Sequence, residues 1–125
     1  MRLVFRIDGR LPSLNEMIAA NRANKYMGAM MKKKYQRPLE LLFLSQAKGQ
    51  KIKNHANVTI RFYEPFDGRH RRDDDNVMAG AKFILDALVK DGILQDDNPK
   101  WVHFKPERFT DCKTCWIEVE IDEGI

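Results

Sequence analysis

Apolar residues in this chain recur at two different spacings, and the switches between them restrict it to a mixed architecture. Leu3, Phe5 and Ile7 alternate with polar residues, as do Val58, Ile60 and Phe62, and later Cys115, Ile117, Val119 and Ile121. A period of two sets one face of a strand against a core and the other in water. Trp101-Val102-His103-Phe104 reads as a further strand. Two stretches of helical spacing lie between. Ser13-Leu14-Asn15-Glu16 has the pattern of a capping box, in which Ser13 accepts from the third helical amide and Glu16 reaches back. The helical region it opens runs to Gly49, with Asn24 and Gly28 as weak points and Pro38 as a kink or restart. The second helix is opened by Asp73-Asp74-Asp75-Asn76, carries its apolar stripe on Val77, Ala81, Ile84, Leu85 and Leu88, and ends at Asp91-Gly92. The expectation is an α+β fold: a single domain over residues 1–125 with one mixed sheet of about four strands covered by helices.

A length of 125 residues suits one hydrophobic core rather than two. With 43% hydrophobic and 32% charged residues the chain can bury that core and stay in solution, which excludes a disordered polyelectrolyte. No apolar run approaches the ~20 residues that span a bilayer, and MRLVFRIDGRLPS lacks the apolar core and cleavage site of a secretory signal. A cytoplasmic protein with no membrane partner is expected. Cys112 and Cys115 form one C-x-x-C, too few ligands for a tetrahedral zinc site and without a thioredoxin-like βαβ pattern around it. They read as ordinary strand-end cysteines, with a metal shared between two copies as the alternative.

Charge is more informative in its placement than in its total of +4. Cations gather at Lys32-Lys33-Lys34 and at Arg69-His70-Arg71-Arg72, which favours a polyanionic partner. Carboxylates gather at Asp73-Asp74-Asp75 and again at Asp96-Asp97. Asp75 or Asn76 can cap the helix, but one cap would suffice, and three adjacent carboxylates repel one another unless a cation sits among them. In an extended approach to the helix, Asp73 and Asp75 leave on one side and Asp74 on the other. Hard oxygen donors so placed suit Mg²⁺. A calcium loop is ruled out, because Val77 and Met78 occupy the positions where an EF-hand needs a ligand and a glycine. Asp96 and Asp97 follow a helix of ~16 residues, which rises ~24 Å. They return to the first cluster only if the chain folds back; otherwise they form a polar turn before Trp101. Lys82 can lean towards the N-terminal end of its helix, or pair with Asp86 one turn on.

Arg72-Asp73-Asp74-Asp75-Asn76, then Lys82, then Leu85-Asp86-Ala87-Leu88, then Asp96-Asp97 resembles the signature of the RusA-type Holliday junction resolvases: D-x-D-N, a helix carrying a lysine and D-A-L, and a D-D pair after a short apolar turn. The N-terminal strand leading into Pro12-Ser13-Leu14-Asn15 is similar as well. The resemblance implies a RusA-like fold and a Mg²⁺-dependent endodeoxyribonuclease of DNA recombination and repair. It implies that Asp73, Asp75 and Asp97 bind the metal and support phosphodiester hydrolysis, with Asp96 a helper or turn residue. Lys82 takes the place of the family lysine counted back from Asp86, and lies three residues late counted forward from Asp75. A homodimer is implied too, since a four-way junction has near two-fold symmetry and needs matched nicks in opposing strands. Arg69, Arg71, Arg72, Lys32, Lys33 and Lys34 would then hold flanking phosphates without reading bases. A non-catalytic branched-DNA-binding protein and a flap or other branched-DNA nuclease are the rival readings, with a thiol redox protein last.

Overall fold

Among the described residues, four strands and four helices follow one another as β1 (Arg2–Asp8), α1 (Leu14–Ala23), α2 (Lys25–Ala47), β2 (Ala56–Tyr63), α3 (Asp74–Met78), α4 (Ala81–Lys90), β3 (Val102–Phe109) and β4 (Trp116–Asp122). The computed structural model describes residues 1–65 and 74–123. The strands form one sheet in the order β1-β4-β2-β3. β4 runs antiparallel to both β1 and β2, whereas β2 and β3 are parallel. Parallel neighbours need a crossover, and the stretch holding α3 and α4 supplies it. The result is the α+β fold with a mixed sheet that the two periodicities predict.

Register decides which side chains the helices cover. Leu3, Ile121 and Val58 form one row across the sheet, Phe5, Val119 and Ile60 the next, and Ile7, Ile117, Phe62 and Arg108 a third. The apolar members of these rows are all buried, and Phe43 of α2 meets Phe5 edge-on at 5.1 Å. Ile84 and Leu88 of α4 and Ile93 and Leu94 beyond it complete the core. Each such side chain contributes about 1.5–3 kcal/mol through burial. Among the described residues no helix covers the other face of the sheet, which carries Arg61, paired with Glu118 at 2.8 Å and Glu120 at 3.1 Å. Both sheet edges are blunted. Gln46 accepts from the Arg6 amide and donates to the Arg6 carbonyl on β1, and Pro106 interrupts the donor row of β3.

The helices depart from expectation in two places. The first region divides at Asn24, whose extended backbone and side chain, accepting from Met27 N at 2.8 Å, start a new helix. α2 then continues through Pro38, an exposed position, so the restart expected there does not occur. The second divides at Ala79-Gly80, where Gly80, Lys82 and Phe83 donate to carbonyls three residues back rather than four. Gly80 is required for packing, since a Cβ there would lie 2.8 Å from Leu11 Cβ. Among the described residues no helix is long and apolar enough to cross a membrane.

Candidate functional site

α3 is only five residues long, and its placement rests on three anchors. Val77 is buried in the core. Asp74 Oδ1 accepts from Arg108 at 3.2 Å. Asn76 Oδ1 accepts from the Asn15 amide at 3.1 Å, which ties α3 to the first turn of α1. Asn76 therefore lies inside α3 and serves another helix's N-terminus rather than capping its own, and Asp75 is likewise within the helix. The amide of Glu16, next along α1, donates to Ser13 Oγ at 3.1 Å as the capping pattern predicts. Glu16 accepts from the Ser13 hydroxyl at 3.2 Å.

Asp75 is left over from these commitments. It is exposed, and its carboxylate has no hydrogen-bond or ion-pair partner among the described residues. Asp73 lies outside the described residues, and the extended approach expected of this run does not hold for Asp74 and Asp75. Both are helical here, so successive side chains are turned by about 100° rather than alternating across a strand.

Arg108 has no counterpart in the sequence reading. It ends the third inward-facing row of the sheet, its side chain is 2% exposed, and it donates to the Glu64 carbonyl at 3.2 Å. The Glu64 carboxylate, also buried, stands 4.0 Å from the same guanidinium. One buried cation thus links the end of β2 to the start of α3. Alternation carried on from Val102 and Phe104 through Pro106 reaches Arg108, which is the one signal that would have found it.

The second acidic run is brought back along α4. Ile93 and Leu94 are buried, their amides both donate to the Leu88 carbonyl, and Gly92 adopts φ +74° to make the reversal. Asp96 Oδ1 then accepts from the Asp97 amide at 2.8 Å and Asp96 Oδ2 from Asn98 Nδ2 at 3.1 Å, so Asp96 holds the turn. Asp97 is exposed and without a described partner. Asp96 and Asp97 line an open groove with Lys82, Asp86 and Lys90 of α4 and Lys32 of α2. The chain after α4 thus folds back beside that helix, and Asp75 is not among the residues that line the groove with Asp97. Lys82 pairs with Asp86 at 3.9 Å and keeps 73% of its side chain exposed.

Other expected positions divide. Lys33 lies in a neighbouring cleft, whereas Lys34 faces the Tyr35 ring at 5.3 Å beside Met27 and Met30. Asp73, Arg69, Arg71 and Arg72 lie outside the described residues. Among the described residues no three acidic, histidine or cysteine side chains are grouped to hold a metal ion. The donors nonetheless fit a hard cation in chemistry: Asp75 and Asp97 present carboxylates that no described neighbour engages, while Asp74 and Asp96 are already used.

Two further titrating groups have perturbed environments. Burial, and then the charges of Cys115 and Asp111, push the Cys112 thiol up, which opposes a nucleophilic or redox role for the C-x-x-C. At the end of α4, burial and then the charge of Glu40 raise Asp91 to about 6, and Asp91 Oδ2 is buried with no partner. An aspartate titrates near 4 when unfolded, so the folded chain binds the extra proton between about pH 4 and 6 and loses stability as pH rises through that window. Solvent access around the carboxyl limits the loss to about 1–2 kcal/mol. Asp91→Asn is therefore expected to match the parent below pH 4 and to exceed it by that amount at pH 7.5. Denaturant melts at the two pH values check this; an advantage that does not grow with pH contradicts it.

No protein-family model matches the chain, and no curated protein does.

Proposed function

We propose that this chain is a Mg²⁺-dependent, structure-selective endodeoxyribonuclease that resolves four-way DNA junctions by paired nicks and acts as a homodimer. One observation carries the reading. In each acidic run one carboxylate is engaged, Asp74 by the Arg108 guanidinium and Asp96 by the Asp97 amide, while a neighbour is left open, and the second open carboxylate, Asp97, shares a groove with Lys82. Carboxylates that served only capping and turns would not come in such pairs. The resemblance to the RusA-type signature over residues 71–98 supports the same conclusion.

Asp73, Asp75 and Asp97 would hold the metal, which supplies Lewis acidity towards a phosphoryl oxygen and the attacking water. The chain's own contributions are separate. Lys82 places an exposed ammonium on the groove, where charge on a non-bridging phosphoryl oxygen would meet it. Arg108 and Asn76 fix α3, and through it the direction of Asp75. Two copies related by a two-fold axis would present two such sites to opposing strands. A non-catalytic DNA-binding protein would account for the cations but gives no use for two open carboxylates.

The decisive assay incubates the purified chain with four-way, flap and linear DNA, with Mg²⁺ and with EDTA. Paired symmetric nicks in the four-way junction, absent in EDTA, are expected. Failure to cut any branched DNA in Mg²⁺, or equal cutting in EDTA, would refute the reading, and preferential cutting of flaps would reassign the substrate.

A further inference from the structure

We infer that the cleft between α2 and the end of α4 binds the phosphodiester backbone of a duplex DNA arm, and that Arg37 and Lys90 are its principal contacts. This rests on the nuclease reading and adds to it a surface on which the uncut part of the substrate lies. Lys32, Lys33, Gln36, Arg37 and Glu40 fall at helical spacing on one face of α2, and Lys90 closes the cleft from α4. Four cations therefore face one carboxylate. Glu40 is held by Gln36, whose Nε2 donates to it at 3.2 Å, so the acid is drawn to the wall of the cleft. Gln36 forms a buried floor, and its Oε1 is an acceptor with no partner. Such an acceptor can accept a hydrogen bond from the ammonium of Lys32 or Lys90 and hold it over the cleft.

Continuity with the candidate site favours DNA over a detached anion. Lys32, Gln36 and Lys90 line both this cleft and the groove that holds Lys82 and Asp97. From Lys82 to Lys90 the helix rises about 12 Å, which is about three nucleotides of one strand at 3.4 Å each. A strand with one phosphate beside Lys82 would thus bring its next phosphates to Lys90 and Arg37. Lys34, on the other side of α2, is outside this path.

The test measures binding of a fluorescent four-way junction by anisotropy in EDTA, from 50 to 200 mM KCl, so that it is independent of cleavage. Three proteins are compared: the parent, Arg37→Gln/Lys90→Gln, and Arg2→Gln/Lys105→Gln. The last removes two cations from the sheet face away from the helices. Removing two phosphate contacts should reduce the slope of log affinity against log salt by about 2 and weaken binding roughly tenfold at 100 mM, while the control pair stays within about twofold. Arg37 and Lys90 are exposed, and thermal melts confirm that the variant folds. An unchanged slope, or an equal loss in the control, overturns the cleft as the binding surface. A reduced slope in a protein that cuts nothing upholds the cleft and rejects the nuclease.

Discussion

Asp75→Asn is expected to abolish junction cleavage while leaving the fold and junction binding intact. The amide keeps the shape of the side chain, and Asp75 is exposed and engaged by no described neighbour, so little stability is at stake. What disappears is one charged oxygen ligand. Losing several kcal/mol of metal-derived transition-state stabilisation corresponds to a rate loss of about a thousandfold or more. Binding should hold or tighten, because a charge that repels phosphate is gone. Single-turnover cleavage in Mg²⁺ and anisotropy in EDTA separate the two effects. Asp97→Asn should behave alike, whereas Asp96→Asn should alter a turn and spare most of the rate. Wild-type cutting by the Asp75 variant removes Asp75 from the site and the proposal with it.

Arg108→Ala should have the largest effect on stability. The guanidinium is 2% exposed, donates to the Glu64 carbonyl and to Asp74, and stands against the buried Glu64 carboxylate. Removing the cation leaves that carboxylate buried beside an empty volume, a class of change that costs about 3–5 kcal/mol. For a chain of this size the melting temperature should fall by on the order of 10 °C. Glu64→Gln in the same chain should recover part of the loss, since a neutral amide costs less to bury without the guanidinium than a carboxylate does. Calorimetry of the single and double variants tests both statements; a loss under about 1 kcal/mol for the single variant would show that the pair does not hold β2 to α3.

Much of the fold could be read in advance. Alternation at Leu3-Phe5-Ile7, Val58-Ile60-Phe62 and Ile117-Val119-Ile121 matches the buried face of the sheet. Ser13 caps α1 as its spacing predicts. Helix breaks were less legible. Pro38 is tolerated because its position faces outward, and Gly80 divides α3 from α4 because Leu11, far away in sequence, needs the space of its missing side chain. Local propensity carries no information about such a neighbour. The candidate site is legible as two acidic runs and a lysine; Arg108 shows only through the alternation of its strand, and nothing within the segments of Glu64, Arg37 and Lys90 marks them.

The chain's own pattern settles where strands and helices form and where negative charge collects, because those properties depend on neighbours within a few residues. Which carboxylate in each run stays open is decided otherwise. Asp74 is taken by Arg108 across 34 positions of sequence, and Asn76 by Asn15 across 61. Asp96 is used up in a turn whose direction comes from Ile93 and Leu94 entering the core. A side chain is engaged only when the packed layers bring a partner within hydrogen-bond reach, and that distance exists only after the sheet and its helices have assembled.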